Sequence, residues 1–135
     1  MATRKVSVLV IDDQDDNCSF FRNVLTAHGY ACDCARGGQE GLVKLSEKAY
    51  DVVFLDLFMP GIDGEAILSW LRSRLPRTSV VISSVQDDHT TMRQMLVAGA
   101  TAYLIKPLTP EQVLSVMRGI ENRRTAAGLD LVASG

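Results

Sequence analysis

The sequence predicts an α/β fold, a doubly wound sheet of five parallel strands covered by five helices. Three observations carry this. Short runs rich in valine, leucine and isoleucine alternate with longer stretches whose apolar residues recur at helical spacing. The short runs are apolar almost throughout, as in strands buried on both faces. Several of them stop abruptly on polar residues, at Asp12-Asp13, Asp56, Ser83-Ser84 and Lys106. Open parallel sheets keep their sites outside the carboxyl ends of their strands, so these residues are candidates for chemistry.

Each element follows in chain order. Val6 to Ile11 reads as the first strand. Asp15 or Asp16 is expected to cap a helix running to about His28, with Cys18, Phe21 and Leu25 on one face. His28-Gly29 is a helix stop, an imidazole near the last carbonyls followed by a glycine. Tyr30 to Ala35 is the second strand. Gly37-Gly38 makes a turn, and a helix carrying Leu42 and Leu45 follows to about Lys48. Asp51 to Asp56 is the third strand, broken by Met59-Pro60-Gly61. A helix from about Gly64 to Arg74 turns Ile67, Leu68 and Leu71 inward, and Pro76 closes it.

Ser79 to Ser84 is the fourth strand. Asp87 or Asp88 begins a fourth helix with Met92, Met95 and Leu96 as apolar positions, ended by Gly99. Thr101 to Ile105 is the fifth strand. Pro110 suits the first turn of a last helix, which shows Val113, Leu114, Met117 and Ile120 and fades after Arg124. The expected domain is 1–124. Residues 125–135 are small and weakly patterned, and read as a flexible tail or the start of a linker. Strands alternating with helices mean a parallel sheet, and right-handed crossovers leave few topologies. The flavodoxin-like order 2-1-3-4-5 makes strands one and three neighbours at the switch point.

The bulk properties narrow the function classes. A chain of 135 residues can bury a real core. An apolar fraction of 47% with 22% charged residues is ordinary for a soluble globular protein. The net charge of -2 weighs against general binding to nucleic acid or to a membrane surface. No run spans a bilayer, and Met1 to Lys5 leads into a strand without a signal-peptide pattern. Of three cysteines, Cys32 and Cys34 form C-x-C on one face of a strand. No second Cys or His pair accompanies them, so they read as buried free thiols in a reducing cytoplasm rather than a zinc site.

The predicted order brings Asp12, Asp13 and Asp56 to one edge. Carboxylates about 4 Å apart repel by roughly 1 to 4 kcal/mol per pair. A hard divalent cation relieves this, and magnesium takes a few carboxylates while leaving room for waters and phosphate oxygens. Ser83-Ser84 and Lys106 end at the same edge. A carboxylate nucleophile, a divalent cation, an ammonium and a hydroxyl together suit phosphoryl transfer.

With these residues in view, the sequence resembles the receiver domains of response regulators in two-component signalling. The likeness covers about Val6 to Arg124. It rests on Asp12-Asp13, on Asp56 with Met59-Pro60-Gly61-x-Asp63-Gly64, on Ser84 and on Lys106-Pro107. The resemblance implies that Asp56 accepts a phosphoryl group from a histidine kinase or phosphotransfer protein. It implies direct Mg²⁺ ligation by Asp13, Asp56 and the Phe58 backbone carbonyl, with Asp12 assisting through water and Mn²⁺ as a substitute ion. Lys106 would contact the phosphoryl group, across a cis Lys106-Pro107 bond in the family. Ser84 would swing toward the phosphate, and Tyr103 would follow inward as an aromatic switch. The family spacing of 22 residues from hydroxyl to lysine selects Ser84 over Ser83.

The resemblance implies a non-enzyme that catalyses only its own phosphorylation and dephosphorylation, in the cytoplasm. Its output partner or domain is unspecified, a homodimer is allowed for, and no contact with nucleic acid or membrane is expected of this chain. Signalling is expected through the fourth helix, fifth strand and fifth helix, including Met92, Met95, Tyr103 and Met117. His28 and His89 are not expected to carry phosphoryl groups.

Two positions depart from the family. Phe58 stands where a polar residue is usual, and Val85 where a small one is. Both are expected to flank the mouth of the site, restrict water and lengthen the life of the acyl phosphate. Val85 could equally hinder small phosphodonors or the Ser84 movement. Among competing readings, a haloacid-dehalogenase-type phosphatase needs a general acid two residues after its nucleophile, and Phe58 cannot transfer a proton. A flavin module wants hydroxyls and backbone N–H groups at this edge, not carboxylates. A pseudo-receiver that only binds partners would not need the full set of site residues.

Overall fold

The computed structural model describes residues 5–61 and 63–126. In chain order the elements are β1 (Ser7–Ile11), α1 (Asp15–Ala27), β2 (Ala31–Ala35), α2 (Gly38–Glu47), β3 (Val52–Leu55), α3 (Gly64–Arg74), β4 (Ser79–Ser84), α4 (His89–Val97), β5 (Ala102–Ile105) and α5 (Pro110–Ala126). The sheet order is β2-β1-β3-β4-β5, with every pairing parallel. This is the expected fold.

The strands sort their side chains with period two. Leu9, Ile11, Val53, Leu55, Val80 and Ile82 pack on one face, with Leu45 of α2, Leu71 of α3 and Met95 of α4. Val8, Val10, Val52, Phe54 and Val81 pack on the other, with Phe21 of α1 and Met117 of α5. Each such side chain contributes about 1.5 to 3 kcal/mol by leaving water. Because both faces are covered, polar groups collect at the two ends of the sheet.

At the amino end, the Ser7 N–H donates to the buried Asp51 carboxylate at 2.9 Å. Arg124 is buried there too, and its guanidinium donates to the carbonyls of Asp51 at 2.9 Å and Arg77 at 2.7 Å. This anchors the last turns of α5 to the sheet. The helix therefore does not end at Arg124 as expected but runs through Thr125 and Ala126. The rest of the expected tail, 127–135, lies outside the described residues.

Other expectations need correction. Neither Asp15 nor Asp16 caps α1; its N-cap is Gln14, without a side-chain cap, and the two aspartates lie in the first turn. Asp15 instead meets the Arg36 guanidinium at 2.5 Å. Asp88, not Asp87, caps α4, accepting the Thr91 N–H at 2.9 Å. Leu96 is exposed rather than core, because Met95 alone is buried in α4. Met95 and Met117 are buried, so they do not belong to an exposed signalling face; the apolar side chains exposed in α4 and β5 are Leu96, Val97 and Ile105. Cys18 and Cys34 are buried but Cys32 is only half-buried. His28 is the expected helix stop, its Nδ1 3.0 Å from the Val24 carbonyl oxygen.

One glycine fixes how α3 leaves the site. Asp63 caps the helix by accepting the Ala66 N–H at 2.8 Å, and the Gly64 N–H donates to the Leu57 carbonyl at 3.2 Å. A Cβ on Gly64 would lie 2.5 Å from the Asp56 carbonyl oxygen and 2.7 Å from the Leu57 Cα. These are backbone atoms and cannot swing aside. Gly64→Ala is expected to destabilise the fold by about 2 kcal/mol, within the range for overpacking. Denaturant unfolding checks this, and an unchanged midpoint would mean the loop gives way freely.

Candidate functional site

The register of the sheet builds the site. Ile11 pairs with Leu55 across β1 and β3, and the Asp56 N–H continues the ladder onto the Ile11 carbonyl at 3.0 Å. On the other side the Asp12 N–H donates to the Ala35 carbonyl at 3.0 Å. Asp12 and Asp56 are thus the first residues past two neighbouring central strands. Ser84 pairs with Ile105, and the Lys106 N–H donates to the Ser84 carbonyl at 2.8 Å. Strand ends of four different chain segments meet here without any long-range sequence signal.

Asp12, Asp13 and Asp56 each offer one carboxylate oxygen, and these oxygens all lie within 4.8 Å of one another. Asp12 is fully buried, Asp56 is 6% exposed and Asp13 is half-buried. Lys106 reaches across the sheet, its Nζ 2.7 Å from Asp12 and 3.3 Å from Asp56. One ammonium against three carboxylates leaves an excess of negative charge in a largely dry place. Burial pushes the Asp56 carboxyl above its ordinary range, against the Phe58 N–H and the Lys106 charge, which act the other way. Hard oxygen donors with surplus negative charge fit a divalent cation.

The remaining side chains divide between this cluster and a neighbouring loop. Three strand-end side chains make the same local turn, each accepting the N–H two residues on: Asp12 from Gln14 at 2.9 Å, Asp56 from Phe58 at 3.1 Å and Ser84 from Gln86 at 3.1 Å. The Ser84 hydroxyl is therefore turned onto the β4–α4 loop. Tyr103 is half-buried against the core, and its hydroxyl donates to the Gln86 carbonyl at 2.8 Å. Burial raises its pKa. Gln86 holds both hydroxyls through its backbone and also donates from its side chain to Asp88, the cap of α4. Sequence reasoning missed Gln86; the signal was its place two residues beyond a strand-end serine. Asn17 was missed too, and it donates to Asp12 at 3.3 Å. Phe58 and Val85 lie on the loops leaving Asp56 and Ser84, with 57% and 70% of their surfaces exposed. The Lys106-Pro107 peptide bond is cis.

A cavity of about 490 Å³ at the amino end of the sheet, between the turns before β3 and β4, contains none of these residues. Among the described residues no helix is long and apolar enough to cross a membrane.

The chain as a whole is similar to known proteins. The family model for the response regulator receiver domain matches residues 8–118. The transcriptional regulatory protein ResD of Bacillus subtilis is 30% identical over 121 residues, which cover 90% of this chain and 50% of the relative. The transcriptional regulatory protein ZraR of Salmonella typhimurium is 33% identical over 108 residues, covering 80% of this chain and 24% of that protein. Among solved structures, the receiver domain of Francisella response regulator 1452 superposes with a TM-score of 0.83 at 28% identity, covering 88% of this chain and 98% of that one. A two-component response regulator from Clostridium difficile gives 0.84 at 26% identity, covering 88% and 98%.

The chain belongs to the response regulator receiver domain family. Its role is that of a phosphoacceptor in two-component signalling. It spans half or less of the length of the curated relatives ResD and ZraR.

Proposed function

We propose that Asp56 is the residue that takes the phosphoryl group, from a phosphohistidine of a histidine kinase or phosphotransfer protein. The observation that carries this is a buried carboxylate, Asp56, held against Lys106 and beside Asp12 and Asp13. An Asp56 carboxylate oxygen attacks phosphorus, the bond from phosphorus to the donor breaks, and the donor nitrogen leaves with the electron pair. Lys106 holds the nucleophile in place and supplies positive charge for the phosphoryl oxygens. Asp13, Asp56 and the Phe58 carbonyl are the ligands proposed for Mg²⁺ or Mn²⁺. Asp12 already accepts from Lys106, Gln14 and Asn17, which favours its contact through water. The metal, when bound, neutralises charge on the transferring group.

The Ser84 hydroxyl supplies a hydrogen bond to the new phosphoryl group. To do so it leaves the Gln86 N–H, and the loop that Tyr103 holds responds; this is the switch. Output runs through the exposed side of α4, β5 and α5 to a partner or a further domain. The chain acts as a signalling protein of the cytoplasm and turns over only its own phosphoryl group.

Acetyl phosphate with Mg²⁺ tests the reading. Stoichiometric labelling that maps to Asp56 is expected. Continuous turnover would make the chain a phosphatase, and no labelling would make it an interaction module. Phe58 and Val85 expose apolar side chains beside the two loops and limit the approach of water to the acyl phosphate. Phe58→Asn and Val85→Ala are each expected to speed loss of the phosphoryl group by roughly tenfold, a barrier change of about 1.4 kcal/mol. Decay of the labelled protein measures this, and unchanged rates in both variants would remove these side chains from control of the lifetime.

A further inference from the structure

The cavity of about 490 Å³ at the amino end of the sheet lies away from the phosphoacceptor cluster. Its walls are the turns that lead out of α2 and out of α3. The Thr78 hydroxyl ties the two walls together by donating to the Tyr50 carbonyl at 3.1 Å. The floor is apolar: Leu45 and Tyr50 are buried and Leu75 is half-buried. The rim is cationic. Lys48 is committed to Asp33 at 3.1 Å and lies over the Tyr50 ring. Arg74 and Arg77 are exposed on the other wall, and among the described residues neither pairs with an acid. Glu47 is the only acid among the described residues that line the cavity. A short apolar segment bearing one negative charge suits such a place. The volume falls in the range of sites that enclose a small ligand, roughly 300 to 1,000 Å³.

The chain itself brings such a segment there. Near the end of α5, Arg124 donates to the carbonyl of Arg77, a residue of the cavity wall, at 2.7 Å. It also donates to the carbonyl of Asp51, the residue after Tyr50, at 2.9 Å. α5 therefore finishes beside the cavity. Past Ala126 the sequence reads Ala127-Gly128-Leu129-Asp130-Leu131-Val132, outside the described residues. An extended chain advances about 3.3 Å per residue, so Leu129 can lie about 10 Å from Ala126 and Leu131 about 17 Å. That is ample to reach a wall that Arg124 already touches.

We infer that residues 129–132 of the same chain dock in this cavity, with Leu129 and Leu131 on the floor of Leu45, Tyr50 and Leu75 and the Asp130 carboxylate against Arg74 and Arg77. In an extended segment the two leucines share one side and Asp130 takes the other, which sends apolar groups to the floor and charge to the rim. Removal of the leucines from water supplies most of the hold, and the exposed charge pairs set the register. Docking fixes the direction in which the chain leaves α5, at the end of the sheet opposite the acidic cluster. It does not depend on which residue takes the phosphoryl group.

Nuclear magnetic resonance of the isotope-labelled 135-residue chain tests this. Proton contacts from the Leu129 or Leu131 methyls to the Tyr50 ring are expected. Backbone order parameters over 129–132 should lie near the rigid value of about 0.85. Asp130→Arg should bring them below about 0.6, the flexible range, and so should Arg74→Asp combined with Arg77→Asp. All three substitutions together should restore the rigid value. Arg77 lends its carbonyl rather than its side chain to Arg124, so the substitution leaves that anchor in place, and unchanged strand chemical shifts confirm the fold. Flexible order parameters in the parent chain would overturn the inference. So would an Asp130→Arg segment that stays rigid on Tyr50. Contacts seen only between differently labelled molecules in a mixed sample would overturn it too, by seating the segment on a second copy.

Discussion

Asp56→Asn is expected to abolish phosphoryl uptake from acetyl phosphate and, in the same protein, to raise stability when metal is absent. The first effect follows from removing the proposed nucleophile. The second follows from its burial. A carboxyl whose folded-state pKa is raised binds its proton more tightly in the folded chain than in the unfolded one. From the unfolded value of about 3.9 up to the raised value, the folded state therefore holds more protons, so stability falls as pH rises and stays lower above that window. The amide has no such falling limb. Relief of charge repulsion from Asp12 is partly offset by the lost attraction to Lys106, and a net gain on the order of 1 kcal/mol at neutral pH is expected. Thermal unfolding in a chelator from pH 4 to pH 8 reads this directly. The variant should melt higher at pH 7, and the gap should close near pH 4. Mg²⁺ should narrow the gap by stabilising the parent more than the variant. A variant that melts lower than the parent at pH 7 would show that the carboxylate is not strained.

Lys106→Ala should have the opposite sign. Lys106 bridges two carboxylates, at 2.7 Å and 3.3 Å, and its own side chain is only 12% exposed. Removing one partner of a buried ion pair leaves an uncompensated charge, a loss of about 3 kcal/mol. Here the abandoned group is chiefly Asp12, which is fully buried. Acetyl phosphate labelling should fall sharply as well, because the same ammonium is proposed to supply charge for the phosphoryl oxygens. Chemical denaturation with and without Mg²⁺ separates the two roles. A divalent cation should recover much of the lost stability, because it supplies the missing positive charge. It should not recover labelling. If the variant is as stable as the parent in a chelator, Lys106 does not hold the cluster together.

The two variants also show why the site was partly legible in the chain. Asp56 and Lys106 each follow an apolar strand run, and a parallel sheet gathers such ends at one edge. Residue type and strand direction were therefore enough to bring Asp12, Asp13, Asp56 and Lys106 together. The helix boundaries were less legible. Asp15 and Asp16 have the right chemistry for a cap and the right place in the chain, yet Gln14 takes that position. The Asp12 side chain turns back onto the Gln14 N–H, which sets where α1 begins. Arg124 looked like the fading end of an amphipathic helix. Its aliphatic stem and guanidinium are instead buried under the sheet, where the carbonyls of Asp51 and Arg77 await donors.

Gln86 is the clearest omission. Its type does not mark it, because Ser84 and Tyr103 use its backbone N–H and carbonyl, which every residue carries; its place two residues past Ser84 is the one local signal. Only the meeting of the β4–α4 loop with β5 shows that Ser84 and Tyr103 share it. The methionines show the reverse. Met95 and Met117 have helical spacing that fits either a core or an exposed face, and packing against the sheet put both in the core.

Fold class, the order of elements and the kinds of side chain at the strand ends follow from the chain alone. Apolar runs of strand length and helical periodicity are local properties, and the pairing of parallel strands needs little more. Tertiary packing set how differently two adjacent acids are placed. Asp12 and Asp13 are alike by residue type, and only the family resemblance gave them different roles, but successive residues at a strand end point in different directions. Asp12 is fully buried with Lys106 against it, and Asp13 is left half-buried at the rim. That difference comes from the register of β1 against β3 and from the reach of Lys106 across β4, which no local stretch of sequence contains.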